Sequence, residues 1–99
     1  MALSVDVRMK VKRLKEEFRK EFGVNIRVYK GVKFADDDAT LAAVRKADAP
    51  RSGDFDVHIG TKVGSVERLF LEKLGITVQI EAMDGSLADN NLTLGQLRG

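Results

Sequence analysis

Hydrophobic residues recur in the same order twice along this chain. Leu3, Val5, Val7 and Met9 alternate with polar residues, as do Phe55, Val57 and Ile59. A period of two with one apolar face predicts a strand. Val11, Leu14, Phe18 and Phe22 then follow at helical spacing, and Val63, Val66, Phe70 and Leu74 do the same. That spacing puts each set of four on one helix stripe. Gly23 and Gly75 come next, where a helix commonly stops in a left-handed residue. Val24, Ile26 and Val28, and in the second half Ile76, Val78 and Ile80, predict a second strand in each half. Asp36–Asp38 precede "ATLAAVRKA" and Asp89–Asn91 precede "LTLGQLR", which predicts a short helix capped by acidic and amide side chains.

The two halves align as sequence. Residues 3–31 match 55–83 without a gap, and 32–45 match 85–98 after a one-residue insertion. Val5/Val57, Lys10/Lys62, Phe18/Phe70, Gly23/Gly75, Asp36/Asp89, Thr40/Thr93 and Leu41/Leu94 are among the identical pairs. Matches that keep the apolar period in register point to a tandem duplication. "ADAPRSG" at 47–53 holds the single proline and reads as the linker.

The expected fold is therefore one α/β domain over 1–99, with repeats 3–45 and 55–98 arranged as (β-α-β-α) twice. It is expected to be a two-layer open-faced sandwich, with a four-stranded sheet and two main helices on one face. Each β-α-β is expected to return parallel through a right-handed crossover. The other sheet face would carry Ser4, Asp6, Arg8, Asn25, Arg27, Tyr29, Asp54, Asp56, His58, Thr77, Gln79 and Glu81.

Two resemblances accompany this reading. "IRVYKGVKFADDDATLAAV" resembles the helix-strand-turn segment in the second half of a ubiquitin-like (β-grasp) domain; upstream, each half has room for one strand where that fold has a hairpin. Over its full length the chain resembles a small uncharacterised bacterial family of duplicated α/β proteins, through "IRVYKG" (26–31), "DDATL" (37–41) and "TKVGSVE" (61–67). That resemblance implies a bacterial origin and brings no activity or catalytic residue with it.

Composition narrows the chemistry. With 99 residues, 43% hydrophobic and 32% charged, the chain can fold around a core of its own. It has no cysteine, which excludes disulfides, Cys-based zinc sites and Cys nucleophiles. No apolar run is long enough to span a bilayer, and the start lacks a secretory h-region, so a cytoplasmic protein without membrane attachment is expected. Residues 1–50 carry 12 basic and 8 acidic side chains, while 51–99 carry 5 and 7. The helix "KVKRLKEEFRKEF" offers Lys10, Lys12, Arg13, Lys15, Arg19 and Lys20 to phosphates, or equally Lys12/Glu16, Arg13/Glu17 and Glu16/Lys20 pairs along a solvated face. Leu69 and Leu71 widen the second helix's stripe, as a partner surface or as buried packing.

Candidate chemistry is sparse. Asp36–Asp38 lack the spacing of a calcium loop, and capping accounts for them. His58 is the single histidine and no nucleophile motif surrounds it. No catalytic residue, metal site or cofactor is expected. The function expected is a non-catalytic protein-interaction module or small adaptor, with Arg8, Arg27, Tyr29 and His58 as binding residues on the polar sheet face. The alternative is nucleic-acid binding through the basic first half, with Tyr29 stacking a base between Arg8 and Arg27. A small enzyme comes third. Monomer and homodimer both stay open.

Overall fold

The computed structural model describes residues 2–44, 55–82 and 84–98. The predicted linker at 47–53, Asp54 and Gly99 lie outside the described residues. The elements are β1 (Ala2–Val5), α1 (Val11–Phe22), β2 (Asn25–Lys30), β3 (Lys33–Phe34), α2 (Leu41–Val44), β4 (Phe55–His58), α3 (Val63–Leu69), β5 (Thr77–Glu81) and α4 (Leu94–Arg98). α3 continues into a π-helical turn over Phe70–Leu74.

The protein is mixed α/β, but its strands form two sheets instead of the single four-stranded sheet expected. β1 pairs with β4, and β3-β2-β5 form the other sheet. All of these pairings are antiparallel. The expected parallel return of β2 beside β1 does not occur: each of these strands takes its long antiparallel partner from the other half of the chain. β1 is taken by β4 and β2 by β5. The short strand β3, not foreseen, folds back on β2 through the Gly31–Val32 turn. Gly31 has φ +65°, and glycine at the first central position is a known signature of two-residue hairpins.

The register is notable. Ser4 stands opposite Asp56 and Arg27 opposite Gln79, and each of these is a pair aligned between the halves in the sequence. Leu3 faces Val57 while Val5 faces Phe55, so the neighbouring rungs exchange in the same sense.

Both predicted helix stripes are interior. Val11, Leu14, Phe18 and Phe22, with Val63, Val66, Phe70 and Leu74, are fully buried in one core cluster. Burying each of the larger ones is worth about 2–3 kcal/mol. Phe70 joins the halves: its ring lies 6.4 Å from that of Phe18 in the first half and 5.0 Å, edge-on, from that of Phe55 in its own. Gly23 (φ 64°) and Gly75 (φ 66°) close the helices in the left-handed conformation. Among the described residues, no helix is long and apolar enough to cross a membrane.

The twice-written segment has a different job from the one expected. The short helices are capped by threonine, not aspartate. Thr93 Oγ1 accepts from Gln96 N–H at 3.1 Å while Gln96 Oε1 accepts from Thr93 N–H at 2.8 Å. Thr40 Oγ1 accepts from Ala43 N–H at 3.3 Å. Asp36 and Asp89 instead shape the preceding turns, accepting from Asp38 N–H at 2.9 Å and Asn91 N–H at 2.8 Å. Those turns aim their carbonyls at the long helices. Val11 N–H donates to Ala39 C=O and Lys12 N–H to Asp37 C=O, both at 2.9 Å. Val63 N–H donates to Leu92 C=O at 2.8 Å and Gly64 N–H to Asn90 C=O at 3.1 Å. The favour is returned by the loops before the long helices: Met9 and Val7 accept from Leu41 and Ala42, and Thr61 and Ile59 accept from Leu94 and Gly95. First-turn N–H groups have no partner inside their own helix, and here each helix start takes two from another loop.

Candidate functional site

The four predicted binding residues do not share one face. Arg27 and Tyr29 lie on β2. His58 ends β4 in the other sheet, opposite Ala2, and is exposed; its backbone N–H donates to Thr61 Oγ1 at 3.1 Å. Arg8 sits in the turn after β1, its side chain 87% exposed and 3.5 Å from Asp6. β1 and β2 belong to different sheets, so strand alternation alone did not bring these four together.

Alternation does hold within the larger sheet. Val24, Ile26, Val28, Val78 and Ile80 point into the core, while Arg27, Tyr29 and Gln79 stay half-buried on the outer face. Cross-strand contacts fix this outer face. Arg27 bonds and ion-pairs with the Glu81 carboxylate. The Tyr29 hydroxyl donates to Gln79 Oε1 at 2.8 Å. The Tyr29 hydroxyl beside Arg27, and after it the Glu81 carboxylate, hold the Arg27 guanidinium above its ordinary range.

β3 adds what the sequence reading missed. Phe34 stands opposite Tyr29, and the two rings stack at 5.1 Å with 21° between their planes. Phe34 is nevertheless 66% exposed, and Val32 at the hairpin tip is 96% exposed. Leu87, aligned with Phe34 in the sequence, bridges Glu81 and is also exposed. The signal for Phe34 was present in "YKGVKF": a two-residue turn at Gly31–Val32 makes Lys30 pair with Lys33 and Tyr29 with Phe34, on one face.

Beside this face runs an open groove of about 470 Å³ between α1 and β2. Lys12, Lys15, Glu16 and Arg19 line it from the helix, with Asn25, Arg27, Phe34, Asp37 and Glu81 opposite. Lys15 ion-pairs with Asp37 at 2.8 Å, across the groove instead of along the helix. Arg19 donates to Asn25 Oδ1 at 3.2 Å. At the aligned place in the second half, a groove of about 330 Å³ is lined by Glu67, Arg68, Leu71, Glu72, Thr77 and Val78. There Leu71 is half-exposed, whereas Leu69 packs against the core.

Among the described residues, no group of three or more His, Cys, Asp or Glu side chains is placed to hold a metal ion. No protein-family model, curated protein or solved structure matches the chain.

Proposed function

We propose that the protein is a non-catalytic interaction module that binds another protein through the outer face of β3-β2-β5. The observation that carries this reading is the Tyr29–Phe34 stack, in which Phe34 is exposed beside an exposed Val32 at the hairpin tip, on a face otherwise polar. Rigid aromatic anchors inside a polar rim are the composition of binding surfaces. From the neighbouring strand β5, Gln79 holds the Tyr29 hydroxyl and Glu81 holds Arg27 beside it. Arg8 and His58 fall outside this surface. The test is recovery of partners from native lysate on immobilised wild type and on Tyr29→Ala/Phe34→Ser. A protein kept by the first, lost by the second, and then binding in purified form supports the reading. Recovery that is the same for both variants removes it.

A second reading, single-stranded nucleic-acid binding, is favoured by the same aromatic pair, since Phe34 gives Tyr29 a neighbour and Lys30 and Lys33 follow them as the next rung of the hairpin. Fluorescence anisotropy with oligonucleotides at two salt concentrations tests it, and a flat signal at low salt rejects it.

We also propose that the halves derive from one duplicated unit. Sequence alignment, the registers centred on Ser4/Asp56 and Arg27/Gln79, and the paired capping loops support that origin.

A further inference from the structure

The outer edge of the second strand is bonded alike in the two halves by one return N–H, but in the first half it keeps buried backbone donors with no hydrogen-bond partner among the described residues. β3 pairs only with Tyr29 and Lys30, and Ala35 N–H adds one bond to Val28 C=O at 2.9 Å. In an antiparallel ladder, a residue's N–H and C=O point to the same side and alternate residues share that side. Val28 therefore points toward β3, and so does Ile26 two residues earlier. β3 does not extend that far. Among the described residues, no hydrogen bond from that side reaches the N–H of Ile26 or of Val28. Ile26 lines the groove below α1.

In the second half, Ile80 occupies the place of Val28, and its C=O accepts from Ala88 N–H at 3.0 Å. Its N–H faces the carboxylate of Glu67, which burial raises above its ordinary pKa and this donor pulls back. The residue aligned with Glu67 is Lys15, a side chain with no acceptor, and it reaches away to Asp37. One edge has a carboxylate over its free donor and the other does not.

We infer that the β2 edge from Asn25 to Val28 accepts an extended acidic peptide as an added strand, beneath Lys12, Lys15 and Arg19. The site adjoins the outer face proposed above and shares Arg27, Phe34 and Glu81 with it, but it takes its ligand through the β2 main chain and not through the Tyr29–Phe34 stack. Main-chain donors and acceptors left on a strand edge fit another strand. Charge selects an acidic one. Asp37 is already tied to Lys15, and Glu81 to Arg27, which leaves the Glu16 carboxylate against the Lys12 and Arg19 cations along the groove, a net positive lining. Ile26 is only 4% exposed, so an incoming strand displaces the long side chains of Lys15 and Arg19 that line the groove beside it.

The test is a ¹⁵N NMR titration of the full chain with the peptide acetyl-Glu-Val-Glu-Val-Glu-amide. Saturable shifts centred on the Ile26 and Val28 amides are expected, with binding at least tenfold weaker for the Lys-Val-Lys-Val-Lys peptide and for one carrying proline at its first valine. Lys15→Glu, which gives this edge what Glu67 gives the other, is expected to weaken binding tenfold or more. If that variant misfolds, Glu67→Lys serves instead, and new shifts at Val78 and Ile80 are expected. Tyr29→Ala, which removes the outer-face stack, should keep the saturable shifts at Ile26 and Val28, which separates this site from the outer face. No saturable shift at 25–28 up to millimolar peptide overturns the inference. So does equal binding of the proline peptide, or shifts at 25–28 produced by an oligothymidylate but not by the acidic peptide.

Discussion

Thr40 and Thr93 show how much a single side chain can carry in a chain this small. Thr93 and Gln96 satisfy each other's backbone N–H in a reciprocal capping box, whereas Thr40 accepts one longer bond and gets nothing back from Ala43. Thr93→Ala is therefore expected to cost about 1 kcal/mol, near the middle of measured caps, and Thr40→Ala less. Urea melts of the two variants check the order. Reversal of that order would mean the reciprocal bond contributes little. Glu67 offers a second residue-scale prediction. Burial raises its pKa, so the folded protein holds this proton more tightly than the unfolded chain. Stability from that proton is full below the unfolded value of 4.5 and is lost as pH rises through the raised folded value. Glu67→Gln is thus expected to raise the melting temperature at neutral pH, with the gain vanishing below about pH 4. A gain that persists in acid would point to a cause other than titration.

The helices and strands were largely legible from periodicity, because burial acts on each element's own stripe. Val11, Leu14, Phe18 and Phe22 had one possible side to hide, and the left-handed glycines marked where each helix ends. Caps were less legible. Aspartates before a short helix suggest a cap, yet here they fold turns whose backbone carbonyls cap a different helix. Sequence alone does not say which loop meets which helix start. The site was half legible for a related reason. Arg27 and Tyr29 were placed correctly on the polar side of their strand. Phe34 required recognising the Gly31–Val32 hairpin, and Arg8 and His58 required knowing that two sheets form. At this scale the structure also predicts that Phe70→Ala costs about 3–5 kcal/mol, since its ring touches both Phe18 and Phe55. Chemical denaturation measures it. A loss under 1 kcal/mol would show that the halves do not lean on each other there.

For the whole molecule, each half supplies the strands the other half needs. Residues 1–50 expressed alone leave β1 without β4 and β2 without β5. Such a fragment is expected to stay largely unfolded, as is 51–99, and an equimolar mixture is expected to recover the native far-UV spectrum. Self-pairing of the first fragment is disfavoured, because Arg27 would then face a second Arg27 in place of Gln79 and lose Glu81. Fragments that fold separately, or a mixture no more structured than its parts, would contradict this. The exchanged loops bind the pieces in a further way. Val11 and Lys12 are held by the chain leading into α2, and Leu41 and Ala42 by the chain leading into α1, so neither helix start can fray while the other stays closed. Deuterium should enter these four amides at one common rate, as a single opening unit, although nearly thirty residues of chain separate the two pairs.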